Sequence, residues 1–567
     1  MVRVRSRLIA RWVVGSLAAA LLLGATPLSA DSKSGPSIVD PALLADARAH
    51  PDAYFPVIVR GAPSPATDRD DSESRAKKAE SALSTSDGAR RSLAIVGGAS
   101  GVLRGWQIVA LSQTALVDRI VRDETFTASW TADDAAKAVN DSAIETVKAP
   151  AVWDSKGLSG KGITVAVVDS GVADHPDLAG RIVARVDLTG EGSDGDPGGH
   201  GTHVAGLIAG DGAASKGQWT GVAPQANIAS VRVIDATGHA KLSTIFAGLQ
   251  WVLRNRSTYD IRIANLSFGG AALSGYQNDL LASAVEMLSF SGLTVVVSAG
   301  NDGQAGPSTI TTPATDPFVI TAGADDTNGT AGLKDDSIAK WSSRGPTAFD
   351  GIAKPDLVAP GRRIVGLRAA GSTIDTLYPD RRVTAKGAKT AQYFTLSGTS
   401  MAAAIVSGVA ALYLERYPSA TPRQVKAQLA ATAHPLHDAR AGDQGAGVVD
   451  AYAAVTDRPV AAPFTPYPAS AAFAEQVFAK LFGQPIVWRD PAFNGGVDSR
   501  GIRWADITWE DITWDSITWE DITWEAFDWQ SITWEDITWE DVTWEGVTWD
   551  IAAPHGDSTA GGWGLVD

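Results

Sequence analysis

Cysteine is absent from the 567 residues, which excludes thiolate nucleophiles, disulfide frameworks, thiolate zinc sites and iron–sulfur clusters at once. Basic residues are absent from one stretch only. From Trp504 to Asp567 there are sixteen Asp or Glu and no Lys or Arg, so the net charge of −16 resides there and residues 1–503 balance at 48 of each sign. No block is strongly basic beyond a few N-terminal arginines, which argues against a nucleic-acid partner. Also missing is an apolar run of the roughly 20 residues needed to span a bilayer. The longest, Trp12–Ala25, follows Arg3, Arg5, Arg7 and Arg11 and precedes Pro27 and Ser29-Ala30. A basic start, a short apolar stretch and a small-residue exit predict a secretory signal peptide over 1–30, hence a secreted, extracellular protein without a membrane span. What is present, 44% apolar and 20% charged residues, is globular composition with ample chain for several domains.

The chain changes character four times after the signal. Residues 31–140 are charged and mixed, with apolar stretches at Tyr54–Arg60 and Trp106–Leu111 that read as strands, and a polar, charge-dense Pro63–Ala89 that reads as a loop or insertion. Over 145–455, short β-branched runs (Ile163–Val168, Ile228–Ile234, Ile261–Ser267, Leu293–Ser298, Phe318–Ala322) alternate with helical patterns (Thr202–Ala209, Leu242–Arg254, Asn278–Ser289). Near-continuous apolar strands separated by helices predict an α/β fold, a mainly parallel sheet with helices on both faces. Residues 456–503 open with four prolines in Asp457–Ser470 and read as linker and spacer. In 504–550, Trp recurs every five residues, ten times, with Ile or Val, Thr and acids between. A five-residue step forms no helical face, since each step turns about 140°. Ile, Val and Thr favour strands, so this acidic tail is β-prone. Binding of a surface polymer through exposed Trp and packing on the chain's own folded domain both remain open, as does the end, 551–567.

Three segments of the middle region carry chemistry. Val167-Val168-Asp169-Ser170-Gly171 puts an acid at the end of a buried strand. His200-Gly201-Thr202-His203-Val204-Ala205-Gly206 opens a helix with His. Ser397-Gly398-Thr399-Ser400-Met401-Ala402 places a Ser at the start of an apolar helix reaching about Leu414. Acyl transfer needs a nucleophile, a base to take its proton and an acid to hold the base's tautomer. A strand-end Asp and two helix-start residues can converge at the rim of a parallel sheet, where ligands bind in such folds. An α/β-hydrolase esterase would instead show Gly-x-Ser-x-Gly and the order Ser, Asp, His. A catalytically silent adhesion protein would not need all three groups.

The order Asp, His, Ser with these surrounds resembles the subtilisin-like serine peptidases, over about residues 145–455. The resemblance implies a secreted serine endopeptidase with Asp169 as orienting acid, His200 as general base and Ser400 as nucleophile. Val297-Ser298-Ala299-Gly300-Asn301-Asp302-Gly303 resembles the family's oxyanion block, so Asn301 is expected to bind the tetrahedral oxyanion beside the Ser400 N–H. Asn265-Leu266-Ser267-Phe268-Gly269-Gly270 resembles the strand that pairs with extended substrate, and Gly238-His239-Ala240 is the expected facing strand. Ser267, Phe268, Gly269, Gly238, Ala299 and Gly300 are thus the expected substrate-binding residues. Residues 31–140 stand where the family carries a small α/β inhibitory propeptide, to be removed by self-cleavage between about 130 and 148; a generic N-terminal domain kept in the mature enzyme is the alternative.

The resemblance implies no cofactor. Relatives often hold calcium in the loop after the His helix, but Asp211 is its one strong donor here. His200 and His203 are three apart without a further ligand at helical spacing, so no metal site is expected and His203 reads as structural. His175 reads as a surface-turn residue, and His434, His437 and His555 as ordinary surface or core histidines. Two positions depart from the family pattern. Met401-Ala402 is followed by Ala403 where Pro is common, and Thr311 stands where Gly is frequent two residues before Pro313, narrowing the pocket for the residue preceding the cut bond. Asp302, near that pocket's rim, would favour a basic or polar residue there.

Overall fold

The computed structural model describes residues 38–62, 72–84, 86, 90–130 and 142–460. All described residues belong to one compact unit. The expected signal peptide, the 461–503 spacer, the Trp repeats, the 551–567 end with His555, and residues 131–141 of the expected cleavage window lie outside the described residues.

The middle region builds one eight-stranded sheet. Its order is Ser337–Ile338, Ile320–Asp326, Thr294–Ser298, Ile261–Leu266, Thr164–Asp169, Asn227–Arg232 and Ile182–Asp187, with Leu357–Pro360 also pairing Ile320–Asp326. All pairs are parallel except the one made by Ser337–Ile338. The central strands are apolar on both faces because both are covered: every residue of Thr164–Asp169 and Thr294–Ser298 is buried. Helices His200–Ala209 and Thr399–Arg416 pack on one face, around Val165, Val167, Ile263 and Val296. Helices Leu242–Asn255 and Leu280–Phe290 cover the other, around Val168, Val231, Ala264 and Val297. Thr399–Arg416 is buried all round from Thr399 to Leu414, which its small Ala, Ser and Gly residues permit by letting strands and the His200 helix approach it closely.

A second, five-stranded sheet is formed by residues 38–122. Its order is Ile38–Val39, Val117–Arg122, Tyr54–Gly61, Gly98–Arg104 and Arg91–Leu93, antiparallel except for the first pair. Two expectations are corrected here. Trp106–Leu111 lies in a helix, Gly105–Leu111, not a strand; the Gln107 side chain accepts the Arg104 N–H and so starts it. The polar stretch 63–89 is not simply a loop, because Ser72–Ala82 is a helix that buries Ala76 and Ala79. This sheet docks on the central fold's outer helices. Ile58, Leu93 and Ile95 enter the same apolar cluster as Ile245 and Leu249, and the Asp123 carboxylate accepts the Ser243 N–H (2.8 Å) and hydroxyl (2.7 Å) at the start of helix Leu242–Asn255.

Gly408 marks how closely the Thr399–Arg416 helix is packed: a Cβ there would lie 2.5 Å from Val222 Cβ. Alanine improves helix propensity by about 1 kcal/mol, yet overpacking of a filled core costs about 1–3 kcal/mol. Gly408→Ala is therefore expected to lower the urea unfolding midpoint, and a raised midpoint would contradict this packing.

Candidate active site

Asp169, Ser267 and Asn301 stand at or just beyond the carboxyl ends of three neighbouring parallel strands, Thr164–Asp169, Ile261–Leu266 and Thr294–Ser298. His200 and Ser400 lie in the first turns of two helices that start at the same edge. Five functional groups from distant parts of the chain are thereby brought to one rim, as the topology of an open parallel sheet allows.

Asp169 Oδ1 lies 2.7 Å from His200 Nδ1 and also accepts the Ser170 N–H at 2.7 Å. Asp169 is fully buried and His200 only 2% exposed. A carboxylate at Nδ1 keeps the proton on that nitrogen and leaves Nε2 bare. His200 Nε2 is buried without a hydrogen-bond partner. Gly201 is required next to it, since a Cβ there would meet Gly171 O at 2.2 Å and Asp169 Cβ at 3.1 Å.

One residue essential to this arrangement escaped the sequence reading. The buried Asp196 carboxylate accepts the Ser170 hydroxyl and the Gly199 N–H on one oxygen, and the Thr202 N–H and hydroxyl on the other. Ser170 Oγ in turn accepts the Gly201 N–H. Asp196 thus ties the start of the His200 helix to the strand end that carries Asp169, although burial itself pushes its carboxyl pKa upward. No motif marks this residue, because it works from a glycine-rich loop through three bonds to nearby Gly199 and Thr202 and one to Ser170, 26 positions away.

Ser400 is fully buried, and its hydroxyl does not reach His200. Oγ sits 2.7 Å from Ser129 O and 3.0 Å from Ser267 O, and its single proton serves one of them at a time. The Ser400 N–H also donates to Ser129 O, at 3.2 Å. Asn301 Oδ1 accepts the Thr399 N–H and hydroxyl at 3.0 Å each, which fixes the amide and turns its Nδ2 donors away from Thr399.

The N-terminal segment runs straight through this site. Thr125–Ala128 forms the middle strand of a three-stranded antiparallel sheet, between His239–Lys241 and Phe268–Gly269. The two flanking strands are those expected to hold extended substrate, and the Gly238 carbonyl accepts the Ala128 N–H. Ser129 N–H donates to Ser267 O at 3.0 Å. Ser129 and Trp130 pass directly over Gly398, whose Cβ, if present, would meet Ser129 O at 2.3 Å and Trp130 Cα at 2.8 Å. Trp130 then packs edge-on against Tyr378.

The other histidines are accounted for by local contacts. His203 is fully buried, with Nε2 3.1 Å from both Ile364 O and Phe394 O, so that nitrogen carries the proton and points away from any ligand. Among the described residues no group of three His, Asp or Glu could hold a metal. The Asp211 carboxylate accepts the Ala213 N–H and lies 3.6 Å from Arg181. His175, expected in a surface turn, is 6% exposed: its Nδ1 accepts the Asp177 N–H, its Nε2 meets Gln392 O, and Tyr393 packs on its ring. His434 bonds Asp450 and His437 bonds Asp438, at partly and fully exposed positions.

Burial, then the nearby His200, depresses the His203 pKa to about 3. An unfolded histidine takes up its proton near pH 6.5, so between pH 6.5 and 3 the unfolded chain binds a proton there that the folded chain refuses. The stability this site contributes is complete above pH 6.5 and is lost as the pH falls towards 3. Urea titrations at pH 7 and pH 4 should show a smaller acid-induced loss for His203→Gln than for the parent chain; equal losses would contradict a buried neutral His203.

Comparison with known proteins places these groups in a family. The subtilase family model matches residues 160–454, just over half of the chain and a span that includes Asp169, His200, Asn301 and Ser400. Serine protease AprX of Bacillus subtilis (strain 168) is 43% identical over 322 residues, covering 56% of this chain and 71% of that protein. Subtilisin BL of Lederbergia lenta is 35% identical over 312 residues, covering 55% of this chain and 97% of that protein. Among solved structures, fervidolysin from Fervidobacterium pennivorans, a keratinolytic enzyme related to subtilisin, matches with a TM-score of 0.55 at 23% identity; the match covers 72% of this chain and 62% of that one, a likeness of fold. The chain belongs to the subtilase family and is a serine endopeptidase, acting on proteins or peptides.

Proposed function

We propose that this endopeptidase is made as a secreted precursor that cuts itself at Ser129–Trp130, using Asp169, His200 and Ser400 as its catalytic triad. The observation that carries the reading is the placement of Ser129: its carbonyl oxygen is held by the Ser400 N–H and lies 2.7 Å from Ser400 Oγ. The basic and apolar pattern of residues 1–30 supports export, and no helix among the described residues is long and apolar enough to cross a membrane.

Each step uses the chain's own side chains. The Ser400 hydroxyl turns from the carbonyl oxygens to His200 Nε2, which has no other partner to displace. Ser400 Oγ attacks the Ser129 carbonyl carbon while its proton passes to Nε2, and Asp169 stabilises the resulting imidazolium through Nδ1–H. The carbonyl oxygen becomes an oxyanion, bound by the Ser400 N–H and the Asn301 Nδ2 donors; loss of one such donor costs about 10²–10³ in turnover. The Ser129–Trp130 C–N bond then breaks, His200 returns its proton to the Trp130 nitrogen, and Ser129 remains esterified to Ser400. Water, deprotonated by His200, attacks the ester, and Ser400 Oγ leaves and recovers the proton. After the cut, residues 31–129 stay as an inhibitor, because Thr125–Ala128 keeps its backbone pairing in the cleft. External substrates enter by pairing with the same strands, along Phe268 and Gly269 and the residues Gly238 and Ser267 that precede the two strands, beside Ala299 and Gly300. For the Trp-repeat tail, 504–550, surface-polymer binding and packing on the catalytic domain are the two candidate roles.

Ser400→Ala is expected to abolish labelling by a fluorophosphonate and to lower casein hydrolysis on the order of 10⁶-fold, as for triad loss in subtilisin. Labelling that persists in the variant would overturn the assignment of Ser400 as nucleophile.

A further inference from the structure

The glycines beside the Ser129 carbonyl leave a gap, and Thr311 fills it. A Cβ on Gly269 would meet Thr311 Oγ1 at 2.3 Å, and one on Gly300 would meet Thr311 Cγ2 at 2.7 Å and Oγ1 at 2.9 Å. Gly269 follows Ser267, which holds the Ser129 N–H, and Gly300 precedes Asn301. The space between the segments Ser267–Gly269 and Ala299–Asn301 is therefore closed from below by one β-branched side chain.

Thr311 is fixed in that position. Its N–H and hydroxyl both donate to Ala299 O, at 3.0 and 3.2 Å, and Thr312 exchanges backbone bonds with Gly270. Thr311 is 8% exposed, and Ser343, which flanks the same gap at Gly300, is fully buried. Rotating the Thr311 side chain aside would break its hydroxyl bond to Ala299 O, and shifting the residue would break the N–H bond as well, so the gap cannot deepen without a cost to the site itself. The chain's own occupant agrees in size: Ser129, the residue before the bond over Ser400, is small and 8% exposed.

We propose that Thr311 makes this endopeptidase selective for a small residue, serine or alanine, immediately before the cut bond. The inference rests on the reading that Ser129–Trp130 occupies the cleavage site. An aromatic ring at this position would have to displace the Thr311 methyl and hydroxyl, whereas a hydroxymethyl or methyl group fits above them. Exclusion acts in the transition state as well as in binding, because a residue that cannot seat its side chain cannot bring its carbonyl to the Ser400 N–H. Asp302, exposed one residue beyond Asn301, is the competing determinant and would select a basic residue instead.

Internally quenched peptides Phe-Thr-Ala-X-Trp, with X as Ser, Ala, Phe or Arg, reproduce residues 126–130 and separate these cases. The self-processed enzyme, freed of residues 31–129, should give a kcat/KM for Ser and Ala at least about tenfold above that for Phe and Arg. Thr311→Gly, with Thr311→Ala as a second variant, should raise the Phe-to-Ser ratio by about tenfold or more. A native preference for Phe or Arg would overturn the proposal, as would a ratio unmoved by both variants. If such turnover is still lost in Ser400→Ala, the peptidase reading stands while the pocket assignment fails. Turnover of none of the four peptides by a chain that fluorophosphonate still labels would likewise overturn the pocket assignment, and absence of labelling would overturn the nucleophile assignment beneath it.

Discussion

The carboxylate of Asp169 ends a strand that is covered on both faces, and its burial sets the terms for everything around it. With water excluded, its Oδ1 is satisfied by the Ser170 N–H and His200 Nδ1. A buried charge of this kind persists only when its partners are held firmly. The holding falls to Asp196, which binds the His200 helix start to the Asp169 strand end, and to Gly201, whose missing side chain lets the helix approach. His203 sits one turn along the same helix and is anchored to two carbonyls, so the helix position is fixed from both sides. The bare Nε2 of His200 is thus a consequence of how a parallel sheet must dispose of a polar residue at its buried edge.

A second constraint joins the N-terminal sheet to this site. A strand pair with one open side offers N–H and C=O groups to any extended chain, and here the chain itself supplies Thr125–Ala128. Docking of the five-stranded sheet on helices Leu242–Asn255 and Leu280–Phe290 determines where that segment emerges. Asp123 binds the N-terminus of the first helix, and two residues later the strand begins. Phe126 then packs on Phe268 and over Gly270, which leaves Ser129 at Ser400. Tertiary docking, pairing register and the position of a single peptide bond are therefore one connected arrangement.

The sheet, and the placement of Asp169, His200 and Ser400 at its rim, are legible in the sequence because each depends on local chemistry: an acid ending an apolar run, a His and a Ser opening helices, and continuous β-branched runs where both faces are buried. Elements governed by weaker patterns are not legible in the same way. Trp106–Leu111 is a short apolar run that suits strand or helix equally, and packing together with Gln107 decides for helix. The helix Ser72–Ala82 presents mainly alanines to the core, too small a contrast to stand out from its charges. His175 looked exposed because the groups that bury it, Tyr393 and Gln392, lie over 200 positions away. Ser129 carries no motif at all; what distinguishes it is the carbonyl it places at Ser400, which only the assembled structure brings together. The entire net charge resides in residues 504–567, while residues 1–503 balance at 48 of each sign.

The most direct test of this account is the N-terminal sequence of the processed enzyme. The account predicts that the large fragment begins at Trp130 and that the Ser400→Ala chain stays joined across Ser129–Trp130. A large fragment beginning elsewhere, or the same cut in purified Ser400→Ala protein, would contradict it.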